Sequence, residues 1–106
     1  MSSGPAIVFA TFRPHPEKVE ALRQSLDTMI ENSRREPGCQ TYDLYRSGDD
    51  GSPVFHLFER YADADALEAH RASEHYKRYR AGLPDLLAEP VEVVVLQEVD
   101  AAGSGG

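Results

Sequence analysis

The first apolar run, Ala6-Ile7-Val8-Phe9-Ala10-Thr11-Phe12, is short and rich in β-branched and aromatic residues. That predicts a strand. Pro14-His15-Pro16 ends it, and Pro16 with Glu17 suits the first turn of a helix. Val19, Leu22, Leu26, Met29 and Ile30 then recur at spacings of 3, 4, 3 and 1, which is one face of a helix. Lys18, Glu20, Arg23, Asp27 and Glu31 fall largely on the other faces, and Glu36-Pro37-Gly38 is a stop signal. Cys39 to Arg46 reads as a second strand, with its bulk in Tyr42, Leu44 and Tyr45. The turn cluster Gly48 to Pro53 joins it to a third strand, Val54 to Tyr61, so the two form a hairpin. Asp63 suits the N-cap of a second helix through Leu67 and His70. Ser73 suits the cap of a continuation bearing Tyr76, Tyr79 and Leu83. Gly82 and Pro84 are expected to break that helix, with Leu86-Leu87 as a last buried turn. Val91 to Val99 is the fourth strand.

The order β-α-β-β-α-β predicts an α+β fold of ferredoxin-like type, a four-stranded antiparallel sheet with helices on one face. Residues 6–99 form the domain, and residues 1–5 and 100–106 are expected to be flexible tails. A sheet with one wet face alternates apolar and polar residues. The outer strands do not. Val8, Ala10 and Phe12 oppose Ile7 and Phe9, and Val91, Val93 and Val95 oppose Val94 and Leu96. Leaving roughly half a dozen large side chains bare forgoes about 12 kcal/mol of burial, against a total domain stability of about 5–15 kcal/mol. The pattern therefore predicts a homodimer packed sheet on sheet.

Composition narrows the function. The chain has 106 residues, 11 basic and 18 acidic, for a formal charge of −7. An acidic chain without a basic run is a poor partner for nucleic acid. One cysteine and no tryptophan are present, so neither an internal disulfide nor a thiolate cluster is available. No apolar run approaches the roughly 18 residues of a membrane span, and Met1 to Pro5 lacks the features of a secretion signal. The expectation is a cytoplasmic protein with no membrane partner.

Several pieces together resemble the antibiotic biosynthesis monooxygenase family. They are Glu36-Pro37-Gly38-Cys39 before Tyr42, the strand ending Phe58-Glu59-Arg60-Tyr61, then Asp63, Leu67, Glu68, Ala69, His70 and Ser73-Glu74-His75. Leu86-Leu87, followed by Pro90-Val91 and a valine-rich strand, closes the set. The resemblance implies a dimeric α+β barrel, in agreement with the two-faced strands. It also implies an activity like that of small cofactor-independent quinol monooxygenases, which use dioxygen on quinols, phenols and aromatic polyketides. Other members degrade haem or isomerise small metabolites. The haem-degrading constellation of Asn, Trp and His is not matched: Ala10 and His70 stand where the Asn and Trp are expected, and Arg80 near the His.

His70 follows Leu67 by three residues and so shares the inward face of its helix. An imidazole there has two readings, a base for a phenolic substrate or a core histidine hydrogen-bonded to the sheet. Glu59, on a strand face with Phe55, Leu57 and Tyr61, needs a partner. His70 is the expected one, with Glu59 orienting the base or forming a structural ion pair. Tyr42, Tyr61, Tyr76 and Tyr79 could line an aromatic substrate pocket or simply pack. His70 and His75 are five apart, which splits them across a helix where zinc-type pairs prefer four, so no metal site is expected. Cys39 reads as a small buried hydrophobe. No phosphate-cradling glycine loop occurs, and no cofactor is expected. The leading expectation is a monooxygenase. The alternatives are an isomerase or lyase using the same base, and a non-catalytic ligand-binding dimer.

Overall fold

The computed structural model describes residues 4–102. Residues 1–3 and 103–106, on which most of the tail expectation rests, lie outside the described residues. The elements run β1 (Ala6–Phe12), α1 (Val19–Arg34), β2 (Cys39–Ser47), β3 (Val54–Tyr61), α2 (Ala64–Ala72), α3 (Glu74–Leu86) and β4 (Glu92–Leu96), with a 3-10 turn at Pro16–Lys18 before α1. The strands form one antiparallel sheet in the order β2-β3-β1-β4. This is the expected ferredoxin-like α+β architecture, with the second helix divided in two.

Packing follows the side-chain periodicities. Val8, Ala10 and Phe12 of β1 and Phe55, Leu57, Glu59 and Tyr61 of β3 share the face beneath the helices. Leu22, Leu26, Met29 and Ser33 of α1, Leu67 and His70 of α2 and Leu83 of α3 descend onto it. Tyr42 at the middle of β2 completes this layer. Glu59 pairs in register with Val8 on one side and Tyr42 on the other, so a carboxylate lies at the centre of the sheet's covered face.

Three details depart from expectation. Pro84 does not break α3: the helix runs on to Leu86, and the Leu87 N–H bonds the Leu83 carbonyl at 3.1 Å beyond the proline. A proline in the last turn removes one N–H without stopping the ladder around it. Gly82 faces open space and only weakens the helix locally. β4 is shorter than expected, ending at Leu96, where Arg60 and Glu98 form an ion pair beside the strand end. The face turned away from the helices is also less bare than its pattern implied. Ile7 is buried there, in register with Arg60 and Leu96, and Phe9 stacks on the His56 ring at 5.5 Å. Exposed apolar surface is concentrated instead on β4, where Val93, Val94, Val95 and Leu96 are each exposed.

Candidate functional site

Two short local structures create the site. Ser73 ends α2 and begins α3, with an extended backbone at φ −70 and ψ 152. Its hydroxyl donates to the His70 carbonyl at 2.7 Å and accepts from the Tyr76 N–H at 3.2 Å. The turn re-aims the chain, so His75 comes back beside His70 with ring centroids 6.2 Å apart. This corrects the expectation from spacing, which holds only for an unbroken helix.

The second is the tight link after α1. The Cys39 N–H bonds the Glu36 carbonyl at 3.1 Å, and the Ala62 N–H bonds the Gly38 carbonyl at 2.8 Å. A Cβ on Gly38 would lie 2.4 Å from the Ala66 Cβ, so only glycine lets this link press against α2. Glu36 is thereby placed beneath both histidines. His70 Nδ1–H donates to its two oxygens, each at 3.0 Å, and His75 Nε2–H donates to Oε2 at 2.6 Å. A carboxylate only accepts, so these bonds fix both imidazole tautomers. The expected pairing of His70 with Glu59 is therefore wrong: Glu36 is the partner of His70.

Glu59 binds Tyr61 instead, accepting its hydroxyl at 2.7 Å. The two residues lie two apart on one strand and so share a face. Glu59 is 6% exposed. Burial pushes its carboxyl up to about 7, while the Tyr61 hydroxyl and the Arg71 charge pull the other way. Burial also lowers the pKa of His70 below the ordinary histidine value, with Glu36 opposing that shift. Both groups are thus held toward their neutral forms, which removes the reason for an ion pair between them.

With Nδ1 committed to Glu36, His70 Nε2 is left buried and, among the described residues, without a hydrogen-bond partner. The ring is ringed by aromatics: Tyr76 at 5.0 Å, Tyr61 at 5.2 Å and Tyr42 at 5.7 Å between centroids. His70, Glu59, Tyr42, Tyr76 and Tyr79 all line one cavity between helices and sheet, with Arg71 and Arg80 at its α2 and α3 side. Its volume is about 20 Å³, room for about one water molecule. Tyr61 does not line it and lies behind Glu59, fully buried. Burial raises the pKa of Tyr42, Tyr61 and Tyr79, so all three remain neutral phenols.

Glu36, His70 and His75 also bring one donor atom each within 4.8 Å of one another, a set able to hold a divalent cation. Such an ion would take the atoms that now share the two histidine protons. Cys39 is half-buried, and burial with nearby carboxylates pushes its thiol up to about 11, where it is unreactive. Sequence reasoning missed Glu36 as a site residue, because it served there as a helix stop and as part of the family motif, with no chemical role. Its signal was an acid placed immediately before Pro-Gly in a chain that carries two histidines on either side of the Ser73 cap.

The family model described as antibiotic biosynthesis monooxygenase matches residues 5–82. The chain belongs to that family. It is 48% identical over 102 residues to "Putative monooxygenase Rv0793" of Mycobacterium tuberculosis, covering 96% of this chain and 99% of that one. It is 28% identical over 89 residues to the Bacillus subtilis protein YcnE, also named as a monooxygenase of that provisional kind, covering 83% and 92%. The solved structure of Rv0793 superposes with a TM-score of 0.85 at 49% identity, over 93% of this chain and 99% of that one. PA3566 of Pseudomonas aeruginosa superposes at 0.82 with 33% identity, over 94% and 99%. Family membership gives monooxygenase as the coarse activity class. Among the described residues no helix is long and apolar enough to cross a membrane.

Proposed function

We propose that this protein is a cofactor-independent monooxygenase acting on a quinol, phenol or aromatic polyketide-like small molecule, working as a cytoplasmic homodimer with dioxygen as co-substrate. The observation that carries this reading is the bare, buried Nε2 of His70 in an aromatic cavity, held by a carboxylate on the opposite ring nitrogen. That is the arrangement of an oriented general base.

Dioxygen reacts poorly with closed-shell molecules, so the substrate must become electron-rich. For an anthrone-like substrate, His70 Nε2 takes a proton from the activated carbon. The resulting anion passes one electron to dioxygen, and the two radicals combine into a carbon-bound peroxide. The peroxide takes the proton back from His70, and loss of water leaves a ketone. The balance is R2CH2 + O2 → R2CO + H2O. Glu36 steadies the imidazolium formed on the way. Neutral Glu59 and Tyr42, in the cavity wall, offer donors for the developing negative charge.

The small cavity favours a second reading, a ligand-binding dimer without turnover. At about 20 Å³ it admits no aromatic ring until the side chains around it move. Oxygen uptake with anthrone and naphthoquinol substrates separates the readings. His70→Ala should lower uptake about 100-fold or more, the usual worth of a general base. Glu36→Gln should shift the rise of rate with pH to lower pH, because Glu36 stabilises the His70 cation. Equal uptake in wild type and His70→Ala removes the base from the mechanism. Product formed without oxygen points to an isomerase or lyase.

A further inference from the structure

The cavity under His70 adjoins a larger space. A groove of about 340 Å³ is walled by Leu83, Pro84, Leu87, Pro90 and Val91, with Ala88 and Glu89 at its rim. Arg80 and Val91 line both spaces, so the two meet there. A groove of that size matches a small-molecule site, where the cavity alone does not.

The charges at the junction are unusual within this molecule. Six of the nine arginines pair with a carboxylate. Among the described residues Arg71, Arg78 and Arg80 have neither an ion pair nor a side-chain hydrogen bond. Arg78 lies outside this cavity, while Arg71 and Arg80 line it. Arg71 directly follows His70 on α2, and Arg80 lies one turn beyond Tyr76 on α3. In a chain of charge −7 acids are plentiful, yet neither cation lies within ion-pair distance of one, and Arg71 acts on Glu59 of the same cavity only through its charge. The net field of the protein repels anions, so any anion preference must come from this local pair.

We propose that cavity and groove form one site for a hydroxyaryl carboxylate. Its ring system lies along the apolar groove, its carboxylate is held by Arg80 at the junction and by Arg71 from the cavity wall, and the neighbouring hydroxyl enters the cavity toward His70 Nε2. Guanidinium forks bind carboxylates in this way, with charge-assisted hydrogen bonds. The inference rests on reading the His70 cavity as a substrate site and names the substrate's class.

The test compares 3-hydroxy-2-naphthoic acid with 3-hydroxy-2-naphthamide, which differ in charge and keep the ring and hydroxyl. Binding is followed by ligand fluorescence on the full chain at pH 6, where Glu59 holds its proton and the ligand's carboxyl is ionised. The acid should bind about tenfold or more tighter than the amide. Arg80→Gln and Arg71→Gln should each erode the ratio, and the double variant should bring it close to one, the loss of affinity falling mainly on the acid. Equal affinity in the wild type, a preference that survives in the double variant, or no binding of either compound overturns the inference. Oxygen uptake is read separately. An acid preference without turnover leaves this site standing and removes the oxygenase. Turnover of neutral quinols without an acid preference does the reverse.

Discussion

At the scale of single residues, the site works by keeping charge out. Burial opposes the anion of Glu59 and the cation of His70 at once, so each is neutral over most of the range where the other could have paired with it. For Glu59 this has a sign that can be measured. Its carboxyl is raised from 4.5 to about 7 on folding, so the folded state holds the proton more tightly. Its contribution to stability is complete below pH 4.5 and is lost as pH rises toward 7. Glu59→Gln is isosteric, still accepts from Tyr61, and does not titrate. Between pH 5 and 8 the wild type should lose on the order of 3 kcal/mol relative to this variant, read from urea unfolding at each pH. Parallel pH profiles for the two proteins would mean that water reaches Glu59 freely. His70 behaves oppositely. Its pKa is lowered, so the base is already free at neutral pH and activity should fall only on the acid side.

At the scale of elements, the site depends on two interruptions of regular structure, Ser73 between α2 and α3 and Gly38 between α1 and β2. Gly38→Ala places a methyl group 2.4 Å from Ala66, where only backbone movement gives relief. The expected cost is about 1–3 kcal/mol, as for other overpacked contacts. Because Glu36 is two residues away, oxygen uptake should fall further than stability alone explains. A thermal melt and an uptake assay on the same preparation check both. Loss of stability with full activity would detach Glu36 from the chemistry. These interruptions also mark the limit of what the sequence could tell. β1 and β3 were legible to the residue, because a run of Ile, Val and Phe bounded by prolines, or a hairpin turn, has one reading. The caps Asp63 and Ser73 were legible as well. The partner of His70 was not, since hydrogen bonding between residues 34 positions apart depends on where a break re-aims the chain. The inward placing of His70 followed from its distance to Leu67, but the tautomer that bares Nε2 needed the position of Glu36. Pro84 misled because its helix-breaking cost depends on how much helix follows it, and here little does.

At the scale of the whole molecule, β4 is the part that a single chain leaves unfinished. It is an edge strand, paired among the described residues with β1 alone, and its valines are bare on both faces. Such an edge invites pairing or aggregation unless something covers it. Register puts Val94 on the outer face beside Phe9, and Val93 and Val95 on the helix side beside Ala10 and Val8. Packing of two sheets back to back would cover Val94 and Leu96. It would leave Val93, 41% exposed, and Val95, 56% exposed, as they are. The dimer proposed above therefore has to wrap the edge of the sheet as well as cap its back, so that each copy closes the wall of the cavity that Val91 and Val93 form in the other's free state. Charged substitutions separate these geometries. Val94→Lys and Val95→Lys should each weaken self-association at least tenfold in sedimentation velocity, since a buried unpaired ammonium costs well over the 1.4 kcal/mol that a factor of ten represents. A loss confined to Val94→Lys would mean flat sheet-on-sheet packing and an open β4 edge. A wild-type chain that stays monomeric at high concentration would remove the dimer altogether, and the His70 cavity would then have to work with one wall exposed to water, where a base is least able to hold its neutral form against solvent.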